Sequence, residues 1–205
     1  MKKQIVVIHG GDTFDTYEQY FDMLKNCQID FEEYRTGKTR WKNNLGKDLG
    51  ENYEVIMPDM PSKFNAKYAE WKIWFEKFIP CLDEEIILIG HSLGGIFLAK
   101  YLSENNFPKK IIATFLVAAP FNAADSDFSL ADFILPQSLT LFEKQSERII
   151  LYHSKDDPVV PFSSFENYQK TLKSAEAKIF EDHGHFLQEN FPELAEAIRK
   201  LASNQ

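Results

Sequence analysis

The amino-acid sequence predicts an α/β fold, a three-layer α/β/α sandwich built on a mainly parallel sheet of about six strands. Short apolar runs rich in β-branched residues alternate with longer segments that carry a helical pattern of apolar residues. Most of the short runs are continuously apolar, which is typical of strands covered by helices on both faces. Strand–helix alternation of this length also implies right-handed crossover connections, and these connections produce parallel strands.

The predicted elements follow one another along the whole chain. Strands are expected at residues 4–8, 54–57, 86–89, 111–117, 149–152 and 178–180. Helices are expected near residues 14–26, 66–79, 93–104, 163–174 and 191–202. The helix at 66–79 carries an aromatic stripe at steps of three and four residues, which predicts a face buried in the core. The stripe consists of Tyr68, Trp71, Phe75 and Phe78.

Two segments exceed what a minimal sheet requires. Residues 31–52 are expected to form an insertion whose basic side chains lie on a solvated helix face. These side chains are Arg35, Lys38, Arg40, Lys42 and Lys47. Residues 121–147 are expected to form a small lid, with an apolar helical piece at 130–135 that Pro136 stops. The residues expected to line the lid and its pocket are Phe121, Phe128, Phe133 and Leu135, with Trp41 or Tyr34.

Composition and charge narrow the function classes. The chain has 205 residues, which predicts a single domain spanning residues 1–205. Apolar residues make up 44% and charged residues 26%, a globular composition that excludes a disordered or fibrous chain. The formal net charge is −8, and an acidic surface repels phosphate groups. Neither nucleic acid nor an anionic membrane is therefore an expected partner.

The first apolar run is too short for a signal peptide, and no stretch reaches the roughly 18 apolar residues of a membrane span. We therefore expect a cytoplasmic protein. Cys27 and Cys81 are too few for a disulfide framework, so we expect two buried free thiols in a reducing compartment. The sequence gives no indication of the oligomeric state.

A candidate nucleophile lies in the segment Gly90-His91-Ser92-Leu93-Gly94. The segment follows a predicted strand and precedes a predicted helix, which is the context that the G-x-S-x-G pattern requires. Glycines on both sides of the serine allow a very tight turn, which lifts the Ser92 hydroxyl above the carboxyl end of the strand. The N-terminus of the following helix then lies under any anion that develops there.

A serine hydroxyl needs a base that takes its proton and an acid that orients the base. His183 and His185 follow the last predicted strand, and a loop at this position can reach back over the sheet to Ser92. Asp156 and Asp157 follow the fifth predicted strand, in a loop stiffened by two prolines. Gly184 allows a sharp turn that can present His185. Ser92, Asp157 and His185 would then follow the chain order serine, aspartate, histidine of the α/β-hydrolases, while Asp156 is expected to cap the next helix.

An oxyanion hole needs two preorganised N–H donors. The backbone of Leu93, directly after the candidate nucleophile, is expected to supply one. The loop after the first strand is expected to supply the other, from Gly11 or alternatively from Asp12. His183 and His185 could suggest a metal pair, but no third ligand stands at a known spacing, so neither a metal nor a cofactor is expected.

Three segments together resemble the α/β-hydrolases. They are residues 89–95 (IGHSLGG), 156–161 (DDPVVP) and 184–186 (GHF). The short chain and its opening strand are similar to the small serine-hydrolase branch, which includes YdeN-like and retinoblastoma-binding-protein-9-like proteins. The resemblance covers residues 3–200 and implies a hydrolase sheet that lacks the first strands. It also implies Asp157, the aspartate before proline, as the acid and His185, the histidine of the G-H-F step, as the base.

These observations lead us to expect a serine hydrolase that cleaves carboxylic esters or related acyl bonds through an acyl-enzyme. The expected partner is a small-molecule acyl substrate with a modest apolar chain. Two alternatives remain open, a protein-binding module on the same scaffold and acyl transfer to an acceptor other than water. A binding module would have no need of the complete set Ser92, Asp157 and His185.

Overall fold

The computed structural model describes residues 2–37, 39–122 and 129–203. The strands are β1 (Lys3–Ile8), β2 (Tyr53–Ile56), β3 (Glu85–His91), β4 (Lys110–Val117), β5 (Ile149–Ser154) and β6 (Glu176–Phe180). The helices are α1 (Tyr17–Asn26), α2 (Phe31–Thr36), α3 (Trp41–Leu49), α4 (Tyr68–Phe78), α5 (Leu93–Glu104), α6 (Thr140–Gln145), α7 (Phe162–Thr171) and α8 (Pro192–Ser203). The strands form one six-stranded sheet in the order β2-β1-β3-β4-β5-β6.

All neighbouring strands of the sheet run parallel, so their carboxyl ends meet at one edge. Ile8 at the end of β1 pairs with Gly90 of β3. His91 at the end of β3 pairs with Val117 of β4, which in turn pairs with Tyr152 of β5. The loops that follow β1, β3 and β5 therefore start side by side, which is where open α/β sheets place their sites.

Each face of the sheet has its own buried cluster, because alternate strand residues point to opposite faces. On one face, Ile8 and Leu88 belong to a cluster that includes apolar residues of α4, α5, α6 and α7. On the other face, Val7 and Ile89 belong to a cluster formed with α3 and α8. Helices thus cover both faces, and the burial of these side chains supplies most of the stabilisation of the fold.

This architecture confirms the predicted α/β/α sandwich and its parallel sheet. Each predicted strand overlaps an observed strand, and the five predicted helices correspond to α1, α4, α5, α7 and α8. The aromatic stripe on α4 buries Tyr68, Trp71 and Phe75. Strand β6 is an edge strand that remains largely uncovered, and its Ile179 is 46% exposed. The inner strands alone are covered on both faces as the continuous apolar runs predict.

The segment at residues 31–52 differs from the expected solvated insertion. It contains α2 and α3, and α3 buries Trp41, Leu45 and Leu49 against the sheet. Lys42, expected on a solvated face, is partly buried because it lies on α3 beside the end of β3, where its ammonium contacts His91. Lys38 and the side chains of Glu33 and Tyr34 lie outside the described part of the chain. The segment is therefore the cover of one sheet face, and Lys42 points into the molecule.

The apolar piece at residues 130–135 forms a turn and not the expected helix, and Ala131 within it has a φ of 45°. Neighbouring elements bind this piece, because the Asp132 carboxylate accepts the N–H of Tyr68 and the Ile134 carbonyl accepts Lys100. Phe133 is fully buried in the core, so its ring does not line an open pocket. A helix begins only at Thr140. Phe128 lies outside the described residues.

Both cysteines are exposed free thiols, which corrects the expectation that they are buried. Cys27 follows α1, a helix that buries none of its side chains, and Cys81 lies in a short 3₁₀ turn after α4. Neither position faces one of the two core clusters. Among the described residues, no helix has the length and apolar character needed to cross a membrane.

Candidate active site

Ser92 occupies a sharp turn between β3 and α5. Its φ is 55° and its ψ is −125°, a conformation that non-glycine residues rarely adopt. The turn is held from both sides, since the N–H of Ser92 donates to the Val117 carbonyl at 2.9 Å and Gly95 donates to the Ser92 carbonyl at 2.8 Å. The strand, the turn and the helix N-terminus thus fall where the sequence pattern predicts them.

The elbow is pressed against the end of β1. A side chain at Gly94 would collide with the carbonyl oxygen of Ile8 and would come within 2.6 Å of that of His9. These atoms belong to backbone, so a substituted residue could not displace them cheaply. Glycine at position 94 is therefore what allows the elbow to touch the loop after β1.

The loop after β1 lies directly beside Ser92. A Cβ atom added at Gly10 would be 3.0 Å from the Cβ of Ser92, and one added at Gly11 would be 3.5 Å from the Leu93 side chain. Within the described ranges, no hydrogen bond joins the N–H of Gly11 or of Leu93 to another group. Two unoccupied backbone donors therefore flank the serine.

Asp12, the alternative donor, has its backbone groups already engaged. Its N–H donates to the Lys63 carbonyl at 2.8 Å, and its carbonyl accepts the N–H of Ala66 at 2.8 Å. These two bonds hold the loop after β1 to the segment before α4. Of the two predicted choices, Gly11 is the residue whose N–H remains available.

His185 and Asp157 form a buried pair. The Nδ1 atom of His185 lies 2.9 Å from Oδ2 and 3.1 Å from Oδ1 of Asp157. The Asp157 side chain is fully buried, and its Oδ1 also accepts the N–H groups of Val159 and Val160 at 2.8 and 3.0 Å. An ionised carboxylate can only accept, so Nδ1 carries the proton and the lone pair of Nε2 is left to act as a base.

Asp156 has a different task from its neighbour. Its Oδ1 accepts the Ser154 hydroxyl at 2.5 Å and the N–H of Gly184 at 2.9 Å. These bonds hold the pKa of Asp156 below its usual value, the Ser154 hydroxyl having the larger effect. The expectation that Asp156 caps the next helix is wrong, because α7 begins after Pro161 without a side-chain cap. Asp156 instead fastens the loop that carries His185.

His183, the other candidate base, lies apart from the pair that His185 forms with Asp157. Its Nδ1 contacts Asp182 at 3.2 Å, its Nε2 lies 3.8 Å from Glu193, and its ring packs on Phe180 with the centroids 4.1 Å apart. The ring of His185, in contrast, lies 5.0 Å from the ring of His91, the residue before Ser92. His185 is therefore the histidine that stands beside the elbow.

The base loop, residues 182–189, is held by the start of α3. The Trp41 indole N–H donates to the Phe186 carbonyl at 2.9 Å, and its backbone N–H donates to the Gln188 carbonyl at 2.9 Å. The Arg40 guanidinium donates to the Leu187 carbonyl at 2.9 Å. Trp41 was expected in a substrate pocket, but its side chain is 1% exposed and supports this loop.

Three residues near the site were not predicted from the sequence, namely His153, His91 and Lys42. His153 donates from Nε2 to the Val160 carbonyl at 2.9 Å and so holds the turn that presents Asp157. His91 and Lys42 form a hydrogen-bonded pair next to the base loop. For His91, the position beside Ser92 is the signal in the sequence that suggests a role. Nothing local distinguishes Lys42 from the other basic residues of its segment.

Comparison with known proteins shows the family to which the chain belongs. The serine hydrolase family model matches residues 34–203. The serine hydrolase RBBP9 of Rattus norvegicus is 27% identical over 167 residues, which cover 78% of this chain and 86% of RBBP9. YdeN of Bacillus subtilis (strain 168) is 22% identical over 194 residues, covering 92% of this chain and 88% of YdeN.

Solved structures extend the likeness to the fold. The crystal structure of the ydeN gene product from B. subtilis superposes with a TM-score of 0.69 at 18% identity, covering 98% of this chain and 100% of that one. The thioesterase domain from the curacin biosynthetic pathway superposes with a TM-score of 0.59 at 13% identity, covering 100% and 92% of the two chains. At these identities the two structures show a shared fold alone. With the family match over most of the chain, they establish that this protein belongs to the serine hydrolase family and is a hydrolase with the α/β-hydrolase fold.

Proposed function

We propose that the protein hydrolyses carboxylic esters or related acyl bonds with Ser92 as nucleophile, His185 as base and Asp157 as orienting acid. The observation that carries this proposal is the buried His185–Asp157 pair, joined at 2.9 Å, beside a serine in a strained strand-to-helix turn. A turn serine without a catalytic role has no need of such strain, nor of a buried aspartate directed at a histidine nearby.

The acylation step uses all three side chains. The Ser92 oxygen attacks the acyl carbon of the substrate, and its proton passes to Nε2 of His185. The imidazolium that forms is stabilised by Asp157, whose negative charge lies against Nδ1. The imidazolium then protonates the leaving alkoxide, which departs as an alcohol and leaves the acyl group on the serine. In the second half, His185 takes a proton from water as the water oxygen attacks the acyl carbon. The bond to the Ser92 oxygen then breaks, His185 returns the proton to that oxygen, and the carboxylic acid is released.

The negative charge of each tetrahedral intermediate falls on the former carbonyl oxygen. The N–H groups of Leu93 and Gly11 are the proposed donors, because both flank Ser92 and neither has another partner among the described residues. The N-terminus of α5 adds a favourable partial positive charge at the same point. Removal of one such donor typically costs about 10²- to 10³-fold in rate.

The acyl group of the substrate is proposed to be of modest size and apolar. Phe121 supports this choice, because it is half-buried after β4 and packs edge-on against Tyr168 at 4.9 Å between centroids. The lid predicted at residues 121–147 remains a proposal. A series of p-nitrophenyl esters of increasing chain length tests the proposed size and polarity of the acyl group. Activity confined to bulky polar substrates contradicts that proposal.

The decisive experiment is labelling with a fluorophosphonate probe, which reacts only with an activated serine. Wild-type protein should be labelled, and Ser92→Ala should abolish the labelling completely. Ser103→Ala, which removes a hydroxyl from the far end of α5, is the matched control and should retain it. Folded wild-type protein that resists labelling and leaves short p-nitrophenyl esters intact would overturn the proposal and favour the binding module.

A further inference from the structure

A buried chain of hydrogen bonds runs from α3 to the backbone of the base. The Lys42 ammonium lies 2.9 Å from Nδ1 of His91, and Nε2 of His91 lies 2.9 Å from the carbonyl oxygen of His185. His91 is 2% exposed. The chain therefore connects a helix of the 31–52 segment with the residue that precedes Ser92 and with the residue proposed as base.

The chemistry of these groups allows only one direction for the bonds. An ammonium group donates and cannot accept, so Nδ1 of His91 must be the acceptor. The single proton of the neutral imidazole must then sit on Nε2, from which it donates to the His185 carbonyl. Burial, aided by the charge of Lys42, holds the pKa of His91 well below its usual value, so the ring stays neutral. The Lys42 ammonium and the His185 carbonyl thus both favour the tautomer of His91 that binds the base loop.

The positive charge of the Lys42 ammonium lowers the stability of the folded protein. Burial, and after it the charge of Arg40, lowers the pKa of Lys42 to about 8. No carboxylate forms an ion pair with Lys42 in the part of the chain that the structure describes. An apolar side chain would fill the same position without this penalty. The cost indicates that the charge serves a purpose other than holding the fold together.

We propose that Lys42 is a positioning residue, which locks the tautomer of His91 and thereby holds the His185 backbone so that its ring stays at the elbow. The inference rests on the proposed function, since it concerns the placement of the proposed base. Without the ammonium, His91 can carry its proton on Nδ1 and turn the lone pair of Nε2 toward the His185 carbonyl. Two lone pairs repel each other, so the base loop loses a bond at its centre.

Three variants test by enzyme kinetics whether Lys42 locks the tautomer of His91; this effect is called the lock below. Lys42→Met removes the ammonium, Lys42→Arg keeps a permanent donor, and Lys47→Met alters an exposed lysine of the same helix as the control. A base displaced by an ångström loses about 10²-fold in rate, so Lys42→Met should lower kcat by about 10- to 100-fold with KM little changed. Lys42→Arg should recover most of the loss, and Lys47→Met should match wild type.

The charge of the substrate separates positioning from direct binding. Positioning predicts the same loss in Lys42→Met for a neutral ester and for one whose acyl chain ends in a carboxylate. A loss confined to the carboxylate ester and expressed in KM would overturn the proposal, because Lys42 would then bind the substrate. Wild-type kcat in Lys42→Met would overturn it as well. Thermal unfolding of each variant shows that the comparison is between folded proteins.

A spectroscopic measurement keeps the lock separate from the proposed function. Long-range ¹H–¹⁵N correlation of the imidazole rings reports which nitrogen of His91 carries the proton. Wild type should show the Nε2–H tautomer, and Lys42→Met should show a mixture or the Nδ1–H tautomer. An Nδ1–H tautomer in wild type contradicts the lock itself, whereas a wild type that shows Nε2–H but never reacts with the fluorophosphonate contradicts the proposed function instead.

Discussion

The elbow around Ser92 and the base loop at residues 182–189 meet at the same edge of the sheet but are built in opposite ways. The elbow is shaped by close backbone contacts with the end of the neighbouring strand β1, as the fit of Gly94 against Ile8 shows. The base loop is shaped by hydrogen bonds from remote elements, namely α3, the end of β3 and the loop after β5. The elbow is held by steric contacts. The base loop is held by hydrogen-bond donors and acceptors from elements that are far away in the sequence.

The elbow and the base loop should therefore respond differently to substitution. A steric elbow tolerates no added atom, so a single methyl group should damage it. A hydrogen-bonded loop tolerates changes that keep a donor or acceptor in place, and it should fail when a bond is reversed or lost.

The largest effect is expected from reversing one bond in the base loop. In Asp157→Asn the amide can donate to His185 Nδ1, which moves the imidazole proton to Nε2 and removes the base. We expect kcat to fall by roughly 10³- to 10⁴-fold with little change in stability, in line with the triad example of the serine proteases. Hydrolysis of p-nitrophenyl acetate and fluorophosphonate labelling rates measure this loss.

Asp156→Asn is the matched control for that change, because the oxygen of its amide can still accept the Gly184 N–H. It should cost less than about tenfold in rate. Equal losses in the two variants would show that Asp157 acts only by fastening the loop, as Asp156 does, and would contradict its role as the orienting acid.

The next effect concerns the elbow. Gly94→Ala places a methyl group against the carbonyl oxygens of Ile8 and His9, and backbone cannot move away without separating β1 from β3. We expect the free energy of unfolding to fall by about 3 kcal/mol or more, with loss of labelling at Ser92. Urea titration followed by circular dichroism measures the first quantity.

Gly46→Ala provides the control for the elbow variant. Gly46 lies inside α3, and its added Cβ would meet Val55 atoms at an ordinary 3.7 Å. Because alanine favours helix over glycine, this variant should gain roughly 0.5–1 kcal/mol. A Gly94→Ala protein as stable as wild type would show that the elbow is not sterically closed.

A further effect, smaller for any single residue, is a dependence of stability on pH that arises where the two regions meet. Burial lowers the pKa of His9, His91 and His153 below the ordinary value of 6.5. Below pH 6.5 the unfolded chain therefore binds more protons than the folded protein, so the free energy of unfolding falls as the pH falls. Each histidine contributes at most about 1.4 kcal/mol per pH unit.

Urea unfolding at about pH 7.5, 6.5 and 5.5 measures this slope above the range in which carboxylates titrate. His91→Gln, which keeps an N–H donor, should reduce the slope, because one of the neutral histidines has been removed. Stability that rises as the medium is acidified through this range would contradict the burial of neutral imidazoles at the site.

Prediction from the sequence succeeded where the signal was local. The apolar runs predicted all six strands. The inner strands are buried on both faces and therefore need contiguous apolar residues. Prediction failed where the structure depends on contacts between residues that are far apart in the sequence. The piece at 130–135 looks helical but forms a turn, because Tyr68 and Lys100 bind its polar groups from outside. Lys42 looks like a solvated lysine, yet the packing of α3 on the sheet turns it inward.

The amino-acid sequence alone predicted the α/β class, the position of Ser92 between strand and helix, and the candidate base and acid. Those features depend on periodicity and on the spacing of glycines, which act within a few residues. The fold was needed to show that the Asp156 carboxylate accepts the Gly184 backbone N–H and does not cap the next helix. It also decided that Lys42 reaches His91, because hydrogen bonds between residues 49 positions apart depend on how helices pack against the sheet.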